Sequence, residues 1–124
     1  MKERSIGIIL FRKANKEIKY LLLYRKPHEN FKESWDFPKG NIEEKESEIE
    51  TLKRELMEET GISNFNLIKN FKEKIQLFYK KDGNTIFKEI IFYLGETKTN
   101  DIKLSYEHDD FKWCNYEDAI KLLT

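Results

Sequence analysis

Cysteine is nearly missing from this chain: Cys114 is the only one. An intramolecular disulfide is therefore excluded, and a reducing, cytoplasmic setting fits. Cys114 lies in an aromatic run that reads as a strand end, which points to a buried inert thiol rather than a nucleophile. Proline is scarce too, at two residues, and no Pro-, Gly- or Ser-rich stretch marks a linker. Residues 1–124 accordingly read as one domain, long enough to bury a core. No apolar run suffices for a membrane span, and the opening MKERSIGIILF is too soon interrupted for a signal peptide. Net charge is lacking as well. Lys+Arg and Asp+Glu stand at 23 each, which gives no support for long-range steering to a DNA duplex or an anionic membrane. What is plentiful is aromatic side chains, at 14%, enough for an aromatic-rich core or ligand pocket.

The most informative stretch is residues 40–62. Ser47, with Glu50 three residues on, forms a capping box, so a helix is expected to start near Glu48. Gly61 stands where a left-handed cap would end it. Ile49, Leu52 and Leu56 fall on one apolar stripe for the core. Glu55, Glu58 and Glu59 fall at i, i+3 and i+4, so their carboxylates share another face, where like charges repel. Arg54 reaches Glu58 at i+4, but one guanidinium does not balance that cluster. Hard oxygen ligands gathered in this way suit Mg²⁺ or Mn²⁺, ions that usually bind a substrate's phosphates as well. The alternative is a plain acidic, solvated helix face.

The spacing separates these readings. The stretch resembles the signature of the Nudix hydrolases: glycine, five residues, glutamate, seven residues, then Arg-Glu-apolar-any-Glu-Glu-any-Gly-apolar. Gly40, Glu46, Arg54, Glu55, Leu56, Glu58, Glu59, Gly61 and Ile62 fill every specified position of it. The resemblance implies an α+β fold, an α/β/α sandwich with a mixed sheet flanked by helices. It implies hydrolysis of a nucleoside diphosphate linked to another group, by metal-activated water. By position, Glu55, Glu58 and Glu59 take the place of metal ligands, with the Gly40 carbonyl as a further one. Glu46 and Arg54 take the place of the groups that orient those carboxylates. Mg²⁺ is the expected cofactor, with Mn²⁺ as a substitute.

Along the rest of the chain, residues 4–12 read as a central strand and 18–25 as its antiparallel partner. A loop with Pro27 leads to Trp35-Asp-Phe-Pro-Lys-Gly40, where Pro38 keeps Phe37 extended and Gly40 allows a turn and close backbone approach. Residues 65–71 are a weak strand, and 73–80 and 85–95 stronger ones joined through Asp82-Gly83, a hairpin signal. Phe111 to Cys114 reads as a short strand, and Asn115 as the cap of a last helix. The order is β-β-α-β-β-β-α. That helix is expected to run about two turns, where relatives often continue.

Outside the box, Glu107 stands four residues before Phe111-Lys-Trp113. In the branch of the family that acts on dinucleoside polyphosphates or RNA 5′ ends, a glutamate so placed approaches the metal site, as ligand or as general base. Glu55 and Glu58 are equally candidates for the base, and an exposed loop acid is the other reading of Glu107. His108 beside it is read as a solvated side chain or a hydrogen-bond donor to phosphate. Lys39 suits a phosphate oxygen or is a surface lysine. Lys88 shares its strand face with Ile86, Ile90 and Phe92 and needs an anion there, unless it is an edge-strand solubility charge. Tyr79, Phe78, Tyr93 and Phe111 are candidates for base stacking, with aromatic core packing as the competing role of each. Leu77 stands where relatives often carry a tyrosine that contacts the base. Four stretches resemble asymmetric diadenosine tetraphosphate hydrolases: IGIILFRK with YLLLYR, the Trp-any-any-Pro-Lys-Gly lead-in, the hairpin FKEKIQLFY…FKEIIFYLGE, and LSYEHDDFKWCNYEDAIKLL. The expected reaction is cleavage of diadenosine tetraphosphate to ATP and AMP. Removal of pyrophosphate from RNA 5′ ends, nucleoside triphosphate hydrolysis and a non-catalytic nucleotide-binding module are the alternatives.

Overall fold

The computed structural model describes residues 2–123. Strands β1 (Lys2–Ala14) and β2 (Glu17–Arg25) form a hairpin closed by Asn15 and Lys16, whose φ of 51° and 69° suits a two-residue turn. There follow β3 (Ser34–Asp36), β4 (Lys39–Asn41), helix α1 (Glu48–Thr60), β5 (Asn66–Leu67), β6 (Glu73–Lys81), β7 (Asn84–Glu96), β8 (Asp110–Cys114) and helix α2 (Tyr116–Leu123). Asp82 and Gly83 turn β6 into β7 with φ of 52° and 78°, as the Asp-Gly pair predicts. The capping box is present, Ser47 accepting from the Glu50 amide and Glu50 from the Ser47 amide, and Gly61 closes α1 in the left-handed region.

The strands form one mixed sheet. β1 runs parallel to β7 on one edge, Lys2–Phe11 against Phe87–Glu96. Its other edge is divided. Residues 5–7 pair with β4 and residues 11–14 with β2, so the sheet forks there. β2 carries β3 and β8, while β7 carries β6 and β5.

Side chains alternate along each strand, and the two faces take one helix each. Ile6, Ile8, Leu10, Leu21, Leu23 and Ile91 pack with Leu52, Leu56 and Ile62 beneath α1. Leu22, on the opposite face, packs with Cys114 of β8, Ala119 of α2, Trp35 and Phe37. This is the expected α/β/α sandwich. Cys114 is buried, and burial raises its thiol pKa, which suits an inert core residue. Among the described residues no helix is long and apolar enough to cross a membrane.

Three differences from the sequence reading stand out. The lead-in to α1 contains two strands of three residues each, too short to show any periodicity. The strand expected over 65–71 shrinks to Asn66–Leu67, because Asn70 at φ 65° breaks the extended run. Gly40 likewise lies inside β4 and not in a turn.

Candidate active site

Strand β4 explains why lysine and glycine stand side by side. Lys39 pairs with Gly7 and Gly40 with Ile6, so the two residues face opposite sides of the sheet. Gly40 faces α1, and a Cβ there would overlap the Glu55 carboxylate outright. Lys39 faces the other side, but its backbone amide donates to Glu59 Oε1 at 3.0 Å. One three-residue strand therefore touches two of the three helix carboxylates.

Arg54 ties the acidic face together. It grips Glu46 with two donors, Nε at 2.7 Å and Nη2 at 3.0 Å. Nη1 donates to Glu55 at 2.8 Å and lies 3.4 Å from Glu58 Oε2, and Nη2 also donates to the Asn41 carbonyl at 3.1 Å. The Arg54 pair holds the Glu46 carboxyl well below the usual range, at about 2. Arg54 itself is pushed further towards the charged state, first by its hydrogen bond to Glu46.

Glu59 is the opposite case. It is 5% exposed, and its pKa is pushed up to about 8, by burial first, then by the charge of Glu55. Burial raises Glu55 as well, and Glu58 and Glu107 add to it. Glu107 also raises Glu59, so the loop carboxylate stands near the helix cluster although it is exposed. The loop is hung on the end of α1: Lys103 N–H donates to the Thr60 carbonyl at 2.9 Å and Ser105 N–H to that of Glu59 at 3.4 Å.

His108 is not solvated. It is largely buried, with Nδ1 3.4 Å from Glu59 Oε2 and outside hydrogen-bond geometry. Burial lowers its pKa, which favours the neutral ring. It stands against Glu59 and does not line the cleft described next.

On the Lys39 side of the sheet lies a cleft of about 790 Å³, within the range of small-molecule sites. Lys39, Lys88, Tyr79, Leu77, Ile90 and Phe31 are among its walls. Lys39 is paired with Asp36. Lys88 has no ion pair among the described residues, lies between the buried Ile86 and Ile90, and has its pKa lowered by burial and then by Lys39. Two ammonium groups in a partly apolar cleft suit a polyanion. Tyr79 lines the cleft with its hydroxyl donating to Glu3. The other stacking candidates point elsewhere. Phe78 lies against Phe87 and is exposed, Tyr93 donates to Glu48, and Phe111 packs on the core beneath α1. Phe31 was not anticipated, because a lone aromatic in a polar loop carries no periodic signal. Nor was Asp109, which accepts from the Lys26 amide at 2.8 Å and joins the two loops bordering the site.

The donor set fits a hard divalent cation. Its members are carboxylates, two of them with pKa raised by burial and mutual charge, beside a backbone left open for Glu55 by the missing Cβ of Gly40. They are not gathered into a closed shell: among the described residues no three His, Cys, Asp or Glu side chains form a metal-ligating cluster. Arg54 holds Glu55 and Glu58, while Lys39 and His108 flank Glu59.

This fold and this acidic helix define a class. The NUDIX domain model matches residues 1–124, and the chain belongs to the Nudix hydrolase family. Within it, the asymmetrical bis(5′-nucleosyl)-tetraphosphatase of Caenorhabditis elegans is 33% identical over 122 residues, covering 96% of this chain and 83% of that protein. An RNA pyrophosphohydrolase of Nitratiruptor is 28% identical over 127 residues, covering 95% of this chain and 80% of that protein. The crystal structure of a C. elegans Ap4A hydrolase binary complex superposes with a TM-score of 0.81 at 31% identity, covering 98% of this chain and 85% of that one.

Proposed function

We propose that this protein hydrolyses nucleoside polyphosphates with Mg²⁺, cleaving diadenosine tetraphosphate asymmetrically to ATP and AMP. The observation that carries the reading is Lys39. Its amide holds Glu59 of the acidic helix while its side chain enters the cleft with Lys88, so the same residue touches the metal-ligand candidates and the polyanion site. Glu55, Glu58, Glu59, Glu107 and the Gly40 carbonyl would hold the ion. The ion would polarise phosphoryl oxygens and supply water of lowered pKa. Arg54 keeps Glu55 and Glu58 aimed, and Lys39 and Lys88 neutralise the phosphate chain. Glu55, Glu58 and Glu107 are the candidates for the general base.

Small nucleotides are favoured over RNA, which would want a basic strip beside the site. Of the lysines that could form one, Lys72 and Lys74 are engaged by Glu48 and Glu89, and Lys80 and Lys81 reach the cleft. The test is a product assay on the parent and Glu58→Gln with Mg²⁺ and three substrates: diadenosine tetraphosphate, a nucleoside triphosphate and 5′-triphosphorylated RNA. ATP plus AMP from the first is expected, with turnover reduced by about 100-fold or more in the variant. Preference for another substrate would move the specificity, and an unimpaired variant would overturn the site.

A further inference from the structure

Strand β6 is an edge strand: among the described residues only β7 pairs with it. All of its residues but Tyr79 are exposed, Ile75 at 47% and Leu77 at 37% on the cleft face and Phe78 at 70% on the other. A nine-residue edge of this kind is a template for another strand, and proteins usually blunt it with a proline, a bulge or inward charges. β6 has no proline, and its register with β7 runs unbroken from Glu73–Phe92 to Lys81–Asn84. Two of its lysines are taken up on their own sheet: Lys74 Nζ lies 3.6 Å from Glu89, and Lys80 Nζ donates to Thr85 Oγ1 at 2.7 Å. Lys81 and Asn84 flank the two-residue turn and so exchange both of their hydrogen bonds. By alternation, the amides and carbonyls of Lys74, Gln76, Phe78 and Lys80 face outward.

The order of residues along this edge says what fits it. Set against its own reverse about Leu77, β6 puts Glu73 opposite Lys81, Ile75 opposite Tyr79 and Leu77 opposite itself. An acid meets a base at both ends, and an aromatic ring meets a β-branched side chain on each side of the centre, pairings that stabilise antiparallel strands. The outward-facing residues match as well, Lys74 with Lys80 and Gln76 with Phe78, so every outward amide and carbonyl gains a partner. Lys74 with Lys80 is the one like-charge pairing, and both ammonium groups are already drawn to Glu89 and Thr85. We propose that β6 is a dimer edge, on which a second copy of this chain adds its own β6 antiparallel about Leu77. The two sheets then run on as one. The apolar strip of Ile75 and Leu77 is covered by the partner's Tyr79 and the partner's Leu77, and the partner's Ile75 stands beside Tyr79 at the rim of the cleft. This pairing is independent of the substrate that the cleft takes.

The test is sedimentation equilibrium of the whole chain from micromolar to millimolar concentration. The parent should approach twice the 15.0 kDa of one chain as concentration rises. Glu73→Lys and Lys81→Glu should each weaken dimerisation by roughly 5- to 50-fold, since symmetry turns two attractive pairs repulsive. The double variant restores opposite charges and should regain the parent's dissociation constant. Both side chains are exposed, so the melting temperature in dilute solution should match the parent. Mild oxidation reads the register separately. Leu77→Cys should give a disulfide-linked dimer, whereas Gln76→Cys, which faces Phe78 and not its own copy, should not. The parent, whose Cys114 is buried, should give none. A parent that stays monomeric throughout overturns the proposal and leaves the edge to an extended segment of another protein. A dimer that ignores both charge variants, or that the double variant does not rescue, forms elsewhere on the surface and overturns it too, as does crosslinking through Gln76→Cys in place of Leu77→Cys.

Discussion

At the scale of single residues, Gly40 separates two uses of glycine. Its backbone lies in a strand, outside the positive-φ residues, so conformational freedom is not what it supplies. It supplies space, and the atoms that would meet a new Cβ are the far end of the flexible Glu55 side chain. Gly40→Ala should therefore cost about 1 kcal/mol or less in stability, because that side chain swings away. The same swing removes a ligand candidate, so turnover should fall by about 10- to 100-fold. Thermal melts and steady-state rates on one preparation check the contrast; a variant that unfolds yet keeps its specific activity would reverse the explanation. The spacing of Gly40, Glu55 and Arg54 was legible in the sequence. The contact was not, since it joins residues fifteen apart across two elements.

At the scale of elements, α1 carries an adverse charge pattern. Its last turns hold Glu55, Glu58 and Glu59 and no basic residue in the final turn, so the carboxylates oppose both one another and the negative end of the helix dipole. The opposite end offsets part of this. Ser47 caps it, Glu48 and Glu50 lie in the favourable first turn, and Leu52 and Leu56 are buried against the sheet. Ser47→Ala should thus lower stability by about 1 kcal/mol, or the melting temperature by about 3–5 °C. Turnover at a permissive temperature should stay within about twofold, because the lost hydrogen bond lies at the far end of the helix from the carboxylates. A large loss of activity with no change in melting temperature would show the cap acting on the site itself. The helix and its ends were readable because caps and i, i+4 spacings are local. β3 and β4 were not, because strands of three residues exist only through the partners they pair with.

At the scale of the whole molecule, protons and metal compete for one cluster. The folded pKa of Glu59 is raised to about 8 from an ordinary 4.5, so its contribution to stability is full at low pH and is lost as pH rises to 8. His108, lowered from 6.5, acts in the other direction and costs stability below that value. Of these two groups, Glu59 is the one that acts between pH 6.5 and 8. In chelator, stability should fall by about 2 kcal/mol across that range. Millimolar Mg²⁺ should flatten or reverse that slope, because the cation takes the place of the proton and binds only the folded cluster. Melting curves at several pH values with and without Mg²⁺ check this, and parallel slopes under both conditions would contradict it.

Local pattern was enough for the acidic helix, its two caps, the antiparallel pairing of residues 4–12 with 18–25, the hairpin at Asp82-Gly83, and the family to which that spacing belongs. All of these depend on residues within a few turns of one another, where the chain's own geometry sets which side chains meet. That Lys39 and Gly40 serve opposite faces of the sheet came from the tertiary fold. So did the burial of His108 against Glu59 and the place of Phe31 in the wall of the cleft with Leu77. Those relations follow from the fork of β1 between two partners and from loops anchored on distant backbone. Pairings of that range are selected by burial of the whole core, which no local pattern encodes.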